Sequence, residues 1–252
     1  MTVTTSITRQ GGTGASADGA AGAVLDAIRT RRSHPQVLPE APARAVIDAL
    51  LAAANCAPNH HLTQPWRFFV LRGDARRRLG EAVLERIAKR WPLDDPDQEA
   101  ARRRNVPASF LRAPVVIAVA VAPPPRPEEA WEELAATAAA IQNLLLAAHA
   151  LGLAAYWRSN GTGLDTVKIF FGLPSEAQLA GFVYLGYPAP GATLPAKPRR
   201  PHAEFVRWLG WDEPDEMDEP EGLDGGSADR GSGAHGTAGA PAPRTAATPR
   251  PA

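Results

Sequence analysis

The sequence predicts an α+β fold, and three features of the chain support this prediction. Segments with helical spacing alternate with short apolar segments along most of the 252 residues. Apolar residues make up 44% of the chain, which is ordinary for a globular domain with a sizeable core. The segment Val115–Val121 is apolar on both faces, which is typical of a central strand buried between two layers.

Helical spacing and end signals predict the helices in order. An amphipathic run at residues 24–28 leads into a basic segment, and Pro42 suits the first turn of the next helix. Asp74 is a candidate N-cap, residues 128–151 form the longest helix before Gly152, and a short helix near residues 164–171 ends at Gly172. The supporting apolar positions are Val24, Leu25 and Ile28, then Val46, Ile47, Leu50 and Ala53, then Leu79, Val83, Ile87 and Trp91, and finally Leu134, Ala138, Ile141, Leu145 and Ala148.

Three further short segments predict strands beside the central one. Residues 69–71 follow a polar loop and are apolar and aromatic. Residues 153–157 follow Gly152 and lead into a loop that contains Gly161, and residues 181–186 follow the short helix. The chain shows no internal repeat, so we expect a single domain.

The composition of the two chain ends and the net charge of the chain limit which partners we expect. Residues 1–21 and 212–252 contain too few apolar residues to offset the entropy of ordering them, so we predict disordered tails around a domain at residues 22–211. The second tail is first acidic and then rich in Pro, Gly and Ala, and an interaction tail is the alternative interpretation. A formal net charge of zero favours neither nucleic acid nor an anionic membrane as a partner. Without a long apolar run or a secretory signal, we expect a cytoplasmic protein.

A polar loop at residues 59–65 is the first candidate for a binding site. Pro58 and Pro65 fix φ at its two ends and hold it open, ahead of the strand at residues 69–71. An ordinary helix-to-strand turn is the alternative. The side chains able to face a ligand are His60, His61, Gln64 and Trp66.

Two more segments carry groups suited to an anionic ligand. Arg31, Arg32 and Ser33 follow the amphipathic run and supply strong phosphate donors. The alternative is a solvated basic helix end, where cations complement the helix dipole. A second set at residues 157–159, Trp-Arg-Ser, follows the predicted strand after Gly152.

Other site chemistries find little support. Cys56 and His60 form a conceivable nucleophile pair, but no third group is evident to orient them, so we expect Cys56 to be a small buried residue. His60 and His61 have no carboxylate nearby at helical spacing, so a metal site is not expected. Neither a G-x-G-x-x-G motif after a strand nor a P-loop lysine is present.

Taken in order, several short motifs resemble the flavin-dependent nitroreductase family, and most closely its small single-domain NAD(P)H nitroreductases. The resemblance extends from about Val24 to Trp208. It implies a three-layer α-β-α sandwich with a central, mostly antiparallel sheet, in a homodimer that holds FMN at the subunit interface. The matching motifs are Arg31-Arg32-Ser33, Ala57-Pro58-Asn59-His60, Gln64-Pro65-Trp66, Arg112-Ala113-Pro114, Trp131-Glu132, Trp157-Arg158-Ser159 and the segment at residues 181–188.

The same resemblance implies roles for individual residues. The phosphate of FMN is assigned to Arg31, Arg32 and Ser33, with Lys197 and Arg199 as further candidate cations. The rest of the flavin is assigned to Cys56, His60, Gln64, Trp157, Arg158 and Ser159, and Arg158 is a candidate to stabilise negative charge on the reduced ring. The segment that resembles the pyridine-nucleotide site comprises Ala147, Ala148, His149, Ala150, Leu151 and Gly152, for which ordinary core is the alternative.

The implied activity is hydride transfer from NAD(P)H through FMN to a nitroaromatic, a quinone or a similar electron-poor acceptor. We name no catalytic residue, because the cofactor carries this chemistry. The alternative is a flavin-binding protein of the same fold without NAD(P)H turnover, either a flavin carrier or a flavin-consuming enzyme. A scaffold whose site no longer binds flavin is the third possibility.

Overall fold

The computed structural model describes residues 17–124, 126–159, 163–192, 194 and 197–211. These residues belong to two compact units, the first ending at Ala196 and the second beginning at Lys197. Residues 1–16 and 212–252, which the sequence predicts to be disordered, lie outside the described part. The first helix begins at Ala17, so residues 17–21 of the predicted tail are helical.

The centre of the first unit, within the described residues, is a four-stranded antiparallel sheet with the order β1-β2-β4-β3. Every residue of β2 is buried, because β2 has a strand on each side and helices over both faces. This arrangement confirms the predicted fold class and the predicted central strand. The strands are β1 at Trp66–Arg72, β2 at Val115–Val121, β3 at Ala154–Arg158 and β4 at Gln178–Gly186.

Six α-helices occur within the described residues: α1 at Ala17–Thr30, α2 at Arg44–Asn55, α3 at Asp74–Arg90, α4 at Pro96–Phe110, α5 at Ala130–Ala150 and α6 at Asp165–Phe170. Short 3-10 helices lie at His60–Leu62, Pro127–Glu129 and His202–Phe205. Not one of these helices has both the length and the apolar character needed to cross a bilayer.

The helices form one layer on each face of the sheet. Helices α2 and α5 pack on one face around Leu50 and Ile141. Helices α3, α4 and α6 cover the other face, where Leu79, Phe110 and Tyr184 are fully or almost fully buried. Close contact between α3 and α4 depends on Gly80, because a Cβ there would lie 2.7 Å from the Cα of Pro107.

The helix ends differ in detail from the sequence prediction. Pro42 precedes the N-cap Ala43 of α2 instead of lying in the first turn. Asp74 is the first residue of α3, and Gly73 with φ of 58° takes the N-cap position. The longest helix begins at Ala130, after a 3-10 turn, and ends as predicted before Gly152, whose φ is 71°.

The second unit contributes described residues 197–211, which make several contacts among themselves. Arg200 forms an ion pair with Glu204 at 3.1 Å and lies 4.3 Å from the centre of the Phe205 ring. The rings of Trp208 and Trp211 meet edge to face at 5.5 Å. Lys197 and Arg199, the additional candidate cations, are exposed.

Candidate functional site

The polar loop between α2 and β1 has a strained backbone. His61, Leu62 and Gln64 have φ values of 52°, 54° and 45°, in the left-handed region that non-glycine residues rarely adopt. Each such residue costs about 1–2 kcal/mol, so neighbouring structure has to hold the loop in place. Leu62 nevertheless extends into solvent and is 81% exposed. Strain of this kind is typical of binding sites.

Three hydrogen bonds hold the loop. The Nδ1 of His60 lies 2.7 Å from Oε2 of Glu132, and the hydroxyl of Thr63 donates to Oε2 of Glu133 at 2.8 Å. The backbone N–H of Gln64 donates to Oδ1 of Asn59 at 3.0 Å. Because both carboxylates belong to the first turn of α5, the loop is fastened to the start of that helix.

A groove of about 390 Å³ lies between this loop and α5. Its floor consists of alanine side chains, and the indole of Trp131, which is 70% exposed, lies at one side. An open groove with an apolar floor and an aromatic wall suits a flat ring system. The lining residues are Pro58, Asn59, His60, Trp131, Glu132, Ala135, Ala136 and Ala139.

The structure corrects three expectations about this region. The indole of Trp66, expected to be able to face a ligand, is buried and donates to Oδ1 of Asn55 at 3.0 Å. Cys56 is exposed at the C-cap of α2, not buried, and its thiol donates to the carbonyl of Ala52 at 3.4 Å. A carboxylate does lie near the two histidines, because Glu129 brings an oxygen within 4.8 Å of a ring nitrogen of His60 and of His61. The two imidazoles stack at 3.8 Å, however, and the Nδ1 of His60 is already engaged by Glu132. We therefore assign no metal to this cluster.

Arg31, Arg32 and Ser33 follow α1 and pass along the free edge of β3. The N–H of His34 donates to the carbonyl of Ala155 at 3.1 Å, which fixes this segment beside the strand. The Nη1 of Arg32 donates to the carbonyls of Arg29 and Arg31, so this side chain does cap the helix end. Within the described part of the chain its Nε and Nη2 have no protein partner, which leaves three N–H groups for a ligand.

The end of α5 lies close to the same segment. The hydroxyl of Thr30 meets Nε2 of His149 at 2.9 Å and donates to the carbonyl of Asp26 at 2.5 Å. Of the segment predicted to contact pyridine nucleotide, Ala148 is fully buried, so its side chain belongs to the core. Ala150, Leu151 and Gly152 are exposed, and Ala147 and His149 are half-buried.

Trp157 and Arg158 point to opposite faces of the sheet, as successive strand residues do. The indole of Trp157 donates to the carbonyl of Ala180 at 3.0 Å, across a glycine at position 181 whose Cβ would overlap the ring. Arg158 lies on the same face of the sheet as Tyr156. Burial raises the pKa of the Tyr156 phenol, and the charge of Arg158 opposes this shift. Its buried Nη1 has no hydrogen-bond partner among the described residues. The sequence did not predict this contact between Arg158 and a buried tyrosine.

The predicted residues therefore form two groups at opposite ends of α5. The loop with His60 is attached at Glu132, and the segment with Arg31 to Ser33 is attached near His149. At roughly 1.5 Å per residue, these attachment points lie about 25 Å apart along the helix. Within one copy of the chain, the structure brings Arg31 to Ser33 close to the end of α5 and to β3, but not to His60.

Comparison with known proteins places these features in a family. Residues 28–187 match the model described as Nitroreductase family. The chain is 34% identical over 170 residues to the "Putative NAD(P)H nitroreductase YdjA" of Escherichia coli (strain K12), covering 65% of this chain and 87% of that protein.

Solved structures give the same result. A nitroreductase-like family protein from Bacillus cereus is 28% identical, with a TM-score of 0.65 over 74% of this chain and 96% of that one. A nitroreductase with bound FMN from Bacteroides fragilis is 25% identical, with a TM-score of 0.60 over 74% of this chain and 98% of that one.

Proposed function

The chain belongs to the nitroreductase family, and from this membership we propose that it is an FMN-dependent oxidoreductase that passes hydride from NAD(P)H to an electron-poor acceptor such as a nitroaromatic or a quinone. The proposal draws on a relative named as an NAD(P)H nitroreductase and on a related structure with bound FMN. It also draws on two features of this chain, its donor groups and its groove.

The residues present fit FMN. The phosphate needs several charge-assisted hydrogen bonds, and Arg32 has three guanidinium N–H groups without a partner among the described residues. Arg31 and Ser33 lie beside it. The isoalloxazine ring needs a flat apolar surface with polar groups at its rim, and the groove between the loop and α5 offers alanines, an indole and the imidazole of His60.

The observation that carries the proposal is the separation of these two parts along α5. One flavin cannot contact both the loop with His60 and the segment with Arg31 to Ser33 in a single protomer, because these two segments are attached to α5 about 25 Å apart. In a dimer with twofold symmetry, the phosphate segment of one protomer can face the loop of its partner, which creates two equivalent sites. Exposed apolar side chains at both ends of α5 and on α1 supply a surface for this contact: Val24, Leu25, Ile28, Trp131 and Leu151. We therefore propose a homodimer with FMN at the interface.

FMN, when bound, supplies the centre that accepts hydride from the nicotinamide and then donates it to the acceptor. The chain's own residues have binding and orienting roles. Arg31, Arg32 and Ser33 hold the phosphate, and Trp157 and Ser159 are at the C-terminal end of β3. His60 and Gln64 face the ring from the partner's loop. NAD(P)H and the acceptor use one place beside the bound flavin in turn.

Two measurements test the proposal. Purified protein should be yellow, and NADH or NADPH should bleach it under anaerobic conditions in stopped-flow experiments. Steady-state rates at several concentrations of reductant and acceptor should give parallel double-reciprocal lines. A colourless protein that takes up no FMN would favour a scaffold, and a yellow protein that neither nucleotide reduces would favour a flavin carrier or a flavin-consuming enzyme. Lines that intersect at one point would contradict a single place beside the flavin that both substrates share.

A further inference from the structure

Two consecutive carboxylates at the start of α5 have no part in the proposed function so far. Glu132 meets the Nδ1 of His60 at 2.7 Å, and Glu133 accepts a hydrogen bond from Thr63 at 2.8 Å. Glu133 is only 4% exposed, and a buried carboxylate is rare unless a partner compensates its burial. Both partners are in the strained loop, three residues apart in the sequence.

The loop requires such support. Between the two fastened residues, His61 and Leu62 have positive φ, and Gln64 has positive φ immediately after them. Leu62 is largely exposed and has little packing to hold it. The bond between the N–H of Gln64 and Asn59 is internal to the loop and cannot fix its position on the protein. The two bonds to α5 do that at His60 and Thr63, and at the end of the loop the carbonyl of Pro65 accepts a hydrogen bond from the N–H of Ala122 at 2.8 Å.

The bond to Glu132 also determines which nitrogen of His60 faces a ligand. An ionised carboxylate only accepts hydrogen bonds, so Nδ1 of the ring carries a proton. Among the described residues Nε2 has no hydrogen-bond partner, and it is the nitrogen left for the groove. A carboxylate that fixes the tautomer and the orientation of an imidazole is a common device in binding sites.

We propose that Glu132 and Glu133 are positioning residues, which hold the loop and the His60 ring so that Nε2 is presented to the flavin. This inference rests on the proposed function, because the flavin is the ligand that His60 faces. Glu132 lines the groove proposed for the flavin ring, whereas Glu133 does not line it. Each acts through its partner in the loop, Glu132 through the imidazole and Glu133 through the hydroxyl of Thr63.

The first test uses flavin-free protein. Long-range ¹H–¹⁵N NMR spectra distinguish the two neutral tautomers of His60. Wild type and Glu132→Gln should hold the proton on Nδ1, because the amide oxygen of glutamine can still accept the bond. Glu132→Ala should give the averaged pattern of a free imidazole. A Glu132→Ala spectrum identical to that of wild type would overturn the role of Glu132.

The second test measures FMN affinity by the quenching of flavin fluorescence. Glu132→Ala and Thr63→Val should each weaken binding about five- to twentyfold, since each removes one bond that holds the loop. Glu132→Gln should stay near the wild-type value, and so should Glu128→Gln, a matched control in the preceding 3-10 helix. Circular dichroism and melting temperature confirm that each variant is folded.

The two hypotheses fail differently. Wild type that takes up no FMN would overturn the proposed function together with this inference. Wild type that binds FMN, with Glu132→Ala and Thr63→Val binding equally well, would leave the proposed function intact and overturn the positioning role. Weakening by Glu128→Gln equal to that by Glu132→Ala would also overturn it, because a general loss of negative charge would then explain both.

Discussion

Arg32 takes part in two interactions, one within the protein and one proposed with a ligand. Its Nη1 caps the end of α1 through the carbonyls of Arg29 and Arg31, and its other three N–H groups are free of protein partners in the described part of the chain. A capping arginine contributes about 0.3–1 kcal/mol to stability. A phosphate contact contributes to the affinity for a ligand instead, so the two roles are separable by experiment.

We predict that Arg32→Ala weakens FMN binding by about ten- to a hundredfold, as the loss of a charge-assisted bond of about 1.5–3 kcal/mol would do. Its affinity for riboflavin, which has no phosphate, should change little. Titration with both flavins, followed by fluorescence, checks the prediction. Arg29→Ala is the matched control, because Arg29 is in the last turn of the same helix and has an ordinary dipole contribution. Equal FMN dissociation constants for wild type and Arg32→Ala would contradict the phosphate assignment.

For individual residues, the sequence predicted candidate site residues but not their hydrogen-bond partners or their burial. The two histidines, Arg32 and Trp157 were found from motifs, but Glu132 and Glu133 were not recognised as partners of the loop. Their partners are about 70 residues away in the chain, so no local spacing could reveal them. Cys56 was expected to be buried because free cysteines usually are, whereas the end of α2 leaves it in solvent.

Strands β3 and β4 are joined by a pair of stacked tyrosines. Tyr156 and Tyr184 are directly opposite each other, with ring centres 4.8 Å apart. Burial raises the pKa of Tyr184 to about 12, Tyr156 adds to the shift, and Arg158 and Arg112 oppose it. Neither hydroxyl has a hydrogen-bond partner among the described residues, so a charge on either would be costly.

We predict that the buried phenol of Tyr184 makes the protein less stable in alkaline solution. Between about pH 10 and about pH 12 the folded protein keeps the Tyr184 proton, whereas the unfolded chain releases it. The free energy of unfolding is therefore unaffected by this group below about pH 10 and falls as the pH rises towards about 12. About 1.4 kcal/mol should be lost by about pH 11. Urea unfolding of wild type and Tyr184→Phe at about pH 8 and about pH 11 checks this, because the variant lacks the titrating group. An equal loss in both proteins would contradict it.

Among the elements, those with strong periodicity were predicted and those without it were missed. The apolar run of β2 and the alanine-rich stripe of α5 gave clear signals, and both exist close to the predicted bounds. Helix α4 gave none, because its sequence is polar, includes three consecutive arginines and contains Pro107. Its start is nevertheless marked, since the side chain of Asp95 accepts hydrogen bonds from two backbone N–H groups of the first turn.

For the whole molecule, α5 determines how the candidate site is assembled. Its two ends each hold one half of the predicted flavin contacts, and the helix keeps them about 25 Å apart. The sequence motifs did not predict this distance, because they are equally compatible with residues that meet within one protomer. A dimer reconciles the separation with a single ligand, and mixed dimers can test this directly.

We predict that two variants with weakened FMN binding restore one high-affinity site when they form a mixed dimer. If Arg32 of one protomer and His60 of its partner share a site, then Arg32→Ala paired with His60→Ala gives one site with both defects and one site with none. Coexpression with two affinity tags and sequential purification should yield a dimer with one high-affinity FMN, whereas each parent dimer has none.

The reverse combination provides the control. A wild-type protomer paired with an Arg32→Ala/His60→Ala double variant places one defect in each shared site, so no high-affinity site remains. If both residues instead served a site within one protomer, this second dimer would retain one intact site and the first would have none. The two mixed dimers thus give opposite FMN counts under the two hypotheses. Titration of both samples therefore decides whether Arg32 and His60 contribute to one flavin site across the interface or within one protomer.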